Sequence, residues 1–243
     1  MLPVHTAASL ILKNASPLGV EWVDLSQARD RVLAEAIPAP SDFPPAPTSS
    51  MDGYAVRRED LETLPHDLQI VETVPAGTVP QVPVKSGQAT RLFTGSILPE
   101  GADTVVMQEV VDRLDKTTAR VTEIGDRGQF VRPQGQFCRK GDRVLSRGQR
   151  LGGAETAVLA AVQRSRVAVY RRPRVAILST GNELVRIDQS LVLGQIVDSN
   201  QHGLAALVAA AGGIPECKGI LADTDGDSIE AGEARLKDAI SEA

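Results

Sequence analysis

Short apolar runs of the β type, broken by glycine and proline, occupy the chain from residue 52 to about residue 150. Runs of this length between turn-forming residues are typical of strands, so the region predicts an all-β module. The dipeptides Gly141-Asp142 and Arg147-Gly148 predict hairpin turns around the last run. We expect strands over residues 54–56, 68–74, 89–93, 104–110, 119–124 and 143–145.

The residues before this module predict helices and a linker. Residues 6–14 indicate one helix. Asp24 is a candidate N-cap for a second helix over residues 25–37, whose apolar side chains recur at helical spacing. The prolines that follow would end this helix. The segment 38–50 is rich in proline, serine and alanine and indicates an extended linker.

After the module the pattern changes to alternating helices and strands. Asn200 is a candidate cap for one of these helices. A helix that crosses an α/β sheet normally leads into another strand, and none follows the last one, so we expect the final domain to be incomplete. The expected elements are a helix over residues 154–162, a strand over 167–170, a buried parallel strand over 175–178, a helix over 201–211, a strand over 216–221 and a helix over 228–241.

The charge and the cysteines exclude some classes of function. Lysine and arginine total 26 against 31 aspartate and glutamate, a formal charge of −5, which argues against nucleic acid or an anionic membrane surface as the partner. The N-terminal apolar stretch 7–12 is too short for a signal or a membrane span. Cys138 and Cys217 lack metal-ligand spacing. We interpret them as reduced thiols of a cytoplasmic protein, with a disulfide between them as the alternative.

The most informative motif, residues 47–57, places Asp52 in an Asp-Gly turn directly before an apolar run. Such a turn is by itself ordinary. A rigidly held carboxylate there could also bind a metal ion or a ligand hydroxyl, and Ser50 could cap the turn or contact the same ligand. Downstream, Thr94 offers a hydroxyl and Gly95 lets a ligand approach the backbone, with simple loop chemistry as the alternative.

Further polar turns follow the strands expected in the C-terminal part. The segment 179–183 lies at the carboxyl end of an expected parallel strand, where open α/β sheets bind ligands. Its small residues could present N–H groups to an anion. Residues 198–200 form either a helix cap or a ligand-binding turn. Asp223 follows another strand on the same edge as Glu183, so these acids either suit Mg²⁺ or only form turns.

Taken together, these segments resemble the molybdopterin molybdenumtransferase family, which comprises the MoeA proteins and the E domain of gephyrin. The matching stretches occur in the family's order and spacing, and the resemblance covers essentially the whole chain. They are residues 50–57 (SMDGYAVR), 94–109 (TGSILPEGADTVVMQE), 174–184 (RVAILSTGNEL) and 194–200 (GQIVDSN).

The resemblance implies a multidomain α+β fold with three parts. These are an elongated helix/strand linking domain (residues 1–39 and 142–170), an inserted all-β module (40–141) and a truncated, three-layer α/β domain like that of MogA (171–243). It also implies the last step of molybdenum cofactor assembly. The enzyme would insert molybdenum from molybdate into adenylated molybdopterin and release AMP with Mg²⁺ present. Its active cleft would lie between the β module of one subunit and the α/β domain of the other in a homodimer.

Carried over by position, the family pattern implies roles for particular residues. The catalytic positions match Asp52, Thr94, Glu183 and Asp223, of which the last two would also be the metal ligands. The substrate-binding positions match Ser50, Gly95, Arg132, Ser179, Thr180, Gly181, Asp198, Ser199 and Asn200.

Two departures from the family pattern limit what the resemblance implies, and the first of them favours an alternative. The family usually has an acid where this sequence has Phe137, and a phenyl ring neither binds a cation in place of a carboxylate nor transfers a proton. The family's later loops, which supply donors for molybdate, do not occur in these 243 residues, so we expect little or no turnover from this polypeptide alone. The rival class is a non-catalytic molybdopterin-binding or scaffold relative. A general nucleotide-binding protein is disfavoured because no phosphate-loop motif is present.

Overall fold

In the computed structural model, which describes residues 2–222 and 236–241, the protein is an α+β molecule in which strands predominate. The helices are Val4–Asn14 (α1), Gly153–Ala161 (α2) and Ser199–Ala210 (α3), and residues 236–241 are also helical. The strands are Val20–Asp24 (β1), Ile37–Pro38 (β2), Thr48–Ser49 (β3), Gly53–Val56 (β4), His66–Val74 (β5), Gln88–Leu92 (β6), Thr104–Met107 (β7), Val111–Arg113 (β8), Thr118–Val121 (β9), Val131–Arg132 (β10), Arg143–Leu145 (β11), Arg166–Tyr170 (β12), Arg174–Thr180 (β13), Leu184–Val185 (β14), Ile196–Val197 (β15) and Ile214–Leu221 (β16).

The chain divides into two compact units, which we name for their place in the sequence. The middle unit comprises residues 36–145, and the flanking unit comprises residues 1–35 and 146–243. The finer division predicted from the sequence, which separates residues 171–243 from a linking domain, stays a prediction. Among the residues described, no helix combines the length and apolar character that crossing a bilayer requires.

The middle unit is built on a six-stranded sheet in the order β7-β4-β6-β5-β9-β8. Neighbouring strands are antiparallel except β5 and β6, which run parallel. All four residues of β4 are buried between β6 and β7. Because successive side chains of a strand point to opposite faces, Tyr54 and Val56 pack into one apolar cluster and Ala55 into another. The sheet is therefore covered on both faces around β4.

Two short antiparallel ladders complete the middle unit. β3 pairs with β10, and β2 pairs with β11. The segment 38–50, predicted to be an extended linker, is extended but contributes to both ladders. Its backbone pairs in this way because Thr48 and Ser49 are buried, and buried N–H and C=O groups need hydrogen-bond partners.

The flanking unit combines an antiparallel pair with a parallel pair. β1 and β12 are antiparallel, β13 and β16 are parallel, and α3 packs against the latter two. The parallel strand predicted over residues 175–178 is confirmed within β13, but its predicted burial is wrong for all of these residues except Ile177. Ile177 is buried whereas Ala176 is exposed, so the described residues cover only one face of this pair.

Most of the other predicted elements are confirmed. The helices predicted over residues 6–14 and 154–162 correspond to α1 and α2, and the strand predicted over residues 143–145 has the bounds of β11. The strand predicted over residues 216–221 lies within β16. Both cysteines are free thiols, so they form no disulfide with each other. The helix predicted over residues 228–241 lies partly outside the described residues.

Two predicted strands are shorter than expected. The strand predicted over residues 104–110 ends at Met107, because its partner β4 begins opposite Met107 and offers no further backbone groups. The chain continues there as the 3-10 helix Gln108–Val110. The strand predicted over residues 119–124 ends at Val121, the last residue that pairs with a neighbour.

The helix predicted over residues 25–37 is wrong. Only Leu25–Gln27 form a short 3-10 helix, without a capping hydrogen bond from the aspartate before it, and Asp30 has a left-handed φ of 62°. Leu33 is fully buried and exchanges backbone hydrogen bonds with residues 148–149. Leu33 therefore pairs with a distant part of the chain, which overrides the local helical propensity of this segment.

Candidate functional site

The Asp-Gly loop between β3 and β4 is held by its own serines. The Ser49 hydroxyl accepts a hydrogen bond from the Met51 N–H at 3.2 Å and donates to the Met51 carbonyl. The Ser49 carbonyl accepts from the Gly95 N–H at 2.8 Å. Ser50 donates both its N–H and its hydroxyl to the Phe130 carbonyl, at 2.9 and 3.0 Å. Ser49 thus caps the turn, whereas Ser50 ties the loop to the segment before β10.

Asp52 is joined to Thr94, and we call the pair the Asp52–Thr94 clamp. The carboxylate Oδ1 accepts from the Thr94 N–H at 2.7 Å and from the Thr94 hydroxyl at 2.9 Å. The Thr94 N–H, then its hydroxyl, and also Arg91 hold the pKa of Asp52 below its ordinary value, so Asp52 is ionised at neutral pH. Within the described residues no hydrogen bond reaches Oδ2. The clamp therefore presents an anion with one fixed and one open oxygen.

Two glycines shape the surroundings of the clamp. A Cβ atom on Gly53 would collide with the carbonyl oxygen of Val106 in β7. Gly95 has a φ of 87°, a conformation that favours glycine, and no atom beyond its two neighbours in the chain lies within 4 Å of the position its Cβ would take. One glycine therefore packs the loop against the sheet, and the other leaves open space beside Thr94.

β10 brings Arg132 to the same part of the middle unit. Arg132 is half-buried and pairs with Thr48 of β3, directly before the Asp-Gly loop. The fold thus gathers residues from three distant segments of the sequence. The predicted site residues that come together here are Ser50, Asp52, Thr94, Gly95 and Arg132.

The other predicted residues that the structure describes lie in the flanking unit. They occur at the end of β13 (Ser179 and Thr180), in the loop that follows it (Gly181 and Glu183) and at the start of α3 (residues 198–200). The Gly181 N–H donates to the carbonyl of Leu221, the last residue of β16, at 3.1 Å, and the Leu184 N–H returns to the Gly181 carbonyl at 3.3 Å. Glu183 is exposed, and its carboxylate lies against the position that a Cβ on Gly181 would take. The loop therefore lies at the carboxyl ends of both parallel strands, as expected.

Asp198 caps α3, so the prediction that Asn200 is the cap is wrong. Asp198 Oδ1 accepts from the Gln201 N–H at 3.1 Å, and the helix begins at Ser199 because the Asp198 N–H is still bound to the Val185 carbonyl at 3.0 Å. Asp198 is 5% exposed, and its Oδ2 has no hydrogen-bond partner in the described part of the chain. An unpaired buried carboxylate oxygen is costly, so this position favours a donor or a cation.

A cavity of about 940 Å³ opens beside this loop and α3. His202, which also lines it, lies in the first turn of α3, four residues after the capping Asp198. Its place just after the predicted cap segment 198–200 is the signal by which His202 could be found from the sequence. Of the predicted residues, Gly181 and Asp198 line the cavity, and it is not lined by Ser179, Thr180, Glu183, Ser199 or Asn200. Lining residues that were not among the predicted site residues include Leu184, Arg186, Asp188, Gln201, His202 and Cys217.

Glu183, the acid in the loop that follows β13, has the chemistry of a Mg²⁺ ligand. Glu183 offers oxygen ligands, and Asp223 lies outside the described residues. Within residues 2–222 and 236–241, no three histidine, cysteine, aspartate or glutamate side chains gather as a metal site. Mg²⁺ is commonly bound through one or two carboxylates together with substrate phosphates and water. An exposed carboxylate in this loop therefore fits such an ion, and Mg²⁺ stays a prediction.

Comparison with known proteins settles the family. The family model described as the MoeA N-terminal region (domain I and II) matches residues 2–162, a range that includes the clamp and Arg132. The chain belongs to this MoeA family. The fold agrees with a solved MoeA-family structure, the molybdopterin biosynthesis MoeA protein from Pyrococcus horikoshii OT3. The two superpose with a TM-score of 0.86 at 33% identity, over 98% of this chain and 64% of that one.

Two curated relatives carry the name molybdopterin molybdenumtransferase. The protein from Nostoc sp. is 45% identical over 219 residues, which cover 88% of this chain and 50% of the relative. The protein from Haemophilus influenzae is 36% identical over 209 residues, which cover 86% of this chain and 52% of the relative. The chain thus spans about half the length of the curated relatives it matches.

Phe137 distinguishes this MoeA-family chain from the pattern expected of the family. Its ring is 63% exposed and packs against Phe43, with centroids 5.7 Å apart and planes tilted by 39°. Asp142, five residues further on, accepts from the Arg139 N–H at 2.8 Å and returns its own N–H to the Arg139 carbonyl. Asp142 therefore closes a turn, but the predicted hairpin is wrong, because the following strand β11 pairs with β2 and not with the strand before the turn.

Proposed function

We propose that this chain forms part of a molybdopterin molybdenumtransferase, which inserts molybdenum from molybdate into adenylated molybdopterin and releases AMP. The observation that carries the proposal is the 45% identity to the transferase of Nostoc sp. over 88% of the chain. The clamp and the cavity beside Asp198 add groups that such a reaction can use. Because the chain spans about half the length of this relative, the activity is proposed for the whole protein.

The substrates are anions, so their direct contacts on the protein have to be hydrogen-bond donors or cations. In this proposal Arg132 and the hydroxyls of Ser179 and Thr180 bind the anionic groups. The ionised Asp52 repels an anion and instead accepts, through its open Oδ2, a hydrogen bond from a substrate N–H or hydroxyl. Thr94 holds the carboxylate in one orientation, which reduces the entropy lost when the substrate binds.

Mg²⁺ belongs to the same proposal. When bound, the ion offsets the negative charge on the phosphate from which AMP departs. Glu183 and Asp223 are the proposed ligands. The unpaired Oδ2 of Asp198 supports a separate role in substrate binding, since a donor at the cavity wall would relieve its burial.

The proposal extends to the assembly and the arrangement of domains. It includes a cytoplasmic homodimer, with the cleft formed by the clamp of one copy and the 179–183 loop of the other. It also includes the three-part arrangement of an elongated linking domain, an inserted β module and a MogA-like α/β domain. The homodimer, its cleft and the arrangement of domains are supported by the resemblance of the site loops to those of the family. They are proposed only to the extent that this resemblance applies.

Release of AMP tests the proposal. The full-length product of the gene is incubated with adenylated molybdopterin, molybdate and Mg²⁺, and AMP is quantified by chromatography. We expect stoichiometric, molybdate-dependent release. No release, or release independent of molybdate, would contradict the proposed function. Residues 1–243 produced alone are expected to release little or no AMP, and stoichiometric release from them would overturn that expectation.

A non-catalytic molybdopterin-binding or scaffold relative is the second candidate, and the exposed Phe137 favours it. The discriminating change is Phe137→Asp in the full-length protein, with Phe137→Leu as the matched control that keeps an apolar side chain. If Phe137→Asp released much more AMP than the parent and Phe137→Leu did not, the parent would have lost its catalytic activity. An active parent would exclude the second candidate.

A further inference from the structure

Four arginines line one cavity of the flanking unit, although the chain as a whole carries a formal charge of −5. The cavity measures about 330 Å³, and we call it the arginine pocket. Three other residues, Glu21, Gln27 and Ile214, complete its lining. Its arginines are Arg31, Arg171, Arg172 and Arg174.

Arg31 is the buried member of this pocket. It is only 8% exposed, and its Nη2 donates to the Tyr170 carbonyl at 2.8 Å and to the Glu21 carboxylate. A guanidinium carries five N–H donors, so the hydrogen bonds within the described residues engage only part of them. The two acceptors fix the guanidinium in place, and its remaining donors favour a further acceptor in the pocket.

Nearby carboxylates balance only two of the four positive charges. Glu21 pairs with one arginine of the pocket and Glu216 with another. Arg171 and Arg172 are exposed and form no ion pair within the described part of the chain. Like charges gathered at one place repel each other, and an anion bound among them relieves that repulsion.

The arginine pocket is separate from the cavity beside Asp198. Arg174 and Ile214 are the first residues of β13 and β16, whereas Gly181 and Ala222 directly follow the last residues of these strands. A strand rises about 3.3 Å per residue, so the two places lie about 20 Å apart, at opposite ends of the parallel pair.

We propose that the arginine pocket is a binding site for phosphate, either free or as the terminal group of a small phosphate ester. Guanidinium groups bind phosphate oxygens through paired, charge-assisted hydrogen bonds. Pockets that hold small ligands begin at about 300 Å³, so this one has room for a small ester. The site does not depend on the transferase activity, because its residues lie at the other end of the strands.

Calorimetric titration of the chain with inorganic phosphate, glucose 6-phosphate and glucose tests this site. We expect saturable binding of at least one phosphate compound and none of glucose. Tighter binding of the ester would identify an ester site, and equal binding would identify a site for the phosphate group alone. In the double variant Arg171→Gln/Arg172→Gln we expect binding at least about tenfold weaker, since each charge-assisted hydrogen bond contributes strongly to affinity.

Arg29→Gln is the matched control, because Arg29 is an exposed arginine of the same unit that does not line the pocket. It should bind phosphate like the parent. Circular dichroism spectra and Tm values of all variants in the absence of phosphate verify that they are folded. Absence of saturable phosphate binding, or equal loss in the control, would overturn the proposal. Unchanged binding in the double variant would overturn it as well.

Discussion

Asp52 and Asp115 make the same pair of hydrogen bonds in the middle unit, but in different settings. Each carboxylate accepts from the backbone N–H and from the hydroxyl of one threonine, at 2.7 and 2.9 Å for Asp52 and at 2.6 and 2.9 Å for Asp115. The partner of Asp115 is Thr117, two residues further on, in the turn between β8 and β9. The partner of Asp52 is Thr94, 42 residues further on.

The difference shows that the same hydrogen bonds can serve a turn or build a site. Asp115 completes a local turn of the kind that aspartate commonly forms. Asp52 joins two segments that are far apart in the sequence, beside the open space at Gly95 and the strand that carries Arg132. Its role is therefore inferred from what surrounds the carboxylate, since the hydrogen bonds themselves do not distinguish the two.

The largest expected effect is a loss of AMP release when Asp52, but not Asp115, is replaced. Asp52→Asn should lower AMP release by the full-length protein by roughly 100-fold or more, because an amide cannot supply the charge and acceptor proposed for the clamp. Asp115→Asn, the matched control, should release AMP at the parental rate. Equal losses for the two variants would show that the clamp acts only through stability.

The residue after each aspartate should also differ in its tolerance of change. Gly53→Ala should lower the free energy of unfolding by about 1–3 kcal/mol or more, because the new methyl group would collide with the Val106 carbonyl. Lys116→Ala removes only an exposed side chain and should change the free energy of unfolding by less than about 0.5 kcal/mol. Urea unfolding measures both. Equal stability of the two variants would contradict the close packing beside the clamp.

Removal of a single hydroxyl should have a smaller effect. Thr94→Val keeps the N–H donor to Asp52 and loses only the hydroxyl, so AMP release should fall by about tenfold or less. Thr117→Val makes the same change beside Asp115 and should leave AMP release unchanged. If both variants matched the parent, the Thr94 N–H alone would be sufficient to orient Asp52.

The smallest expected difference lies in the pH dependence of stability. The N–H and then the hydroxyl of the threonine partner hold the pKa of Asp52 and of Asp115 below the ordinary 3.8. Each carboxylate therefore contributes stability that is fully present above that value and is lost as the pH falls through the lower folded pKa. Between pH 5 and pH 2.5, Asp52→Asn and Asp115→Asn should each lose less Tm than the parent. A variant with the parental slope would show that its aspartate does not contribute.

Much of the fold was predictable because it depends on local patterns. The strands of the middle unit alternate with glycine and proline turns, and the parallel strand β13 is an apolar run that ends at a polar loop. The region 25–37 was predicted wrongly because its apolar spacing suits a helix, whereas Leu33 pairs with residues 148–149. Arg31, in the same region, gives no sequence signal of its burial in the arginine pocket.

The sequence by itself determined where most strands and helices lie and which loops resemble those of the MoeA family, because these properties depend on neighbouring residues. Only the tertiary structure decided that Thr94 holds Asp52 and that four arginines share one pocket. These outcomes depend on contacts between segments that are distant in the chain. Such contacts form only when burial of apolar surface brings the segments together.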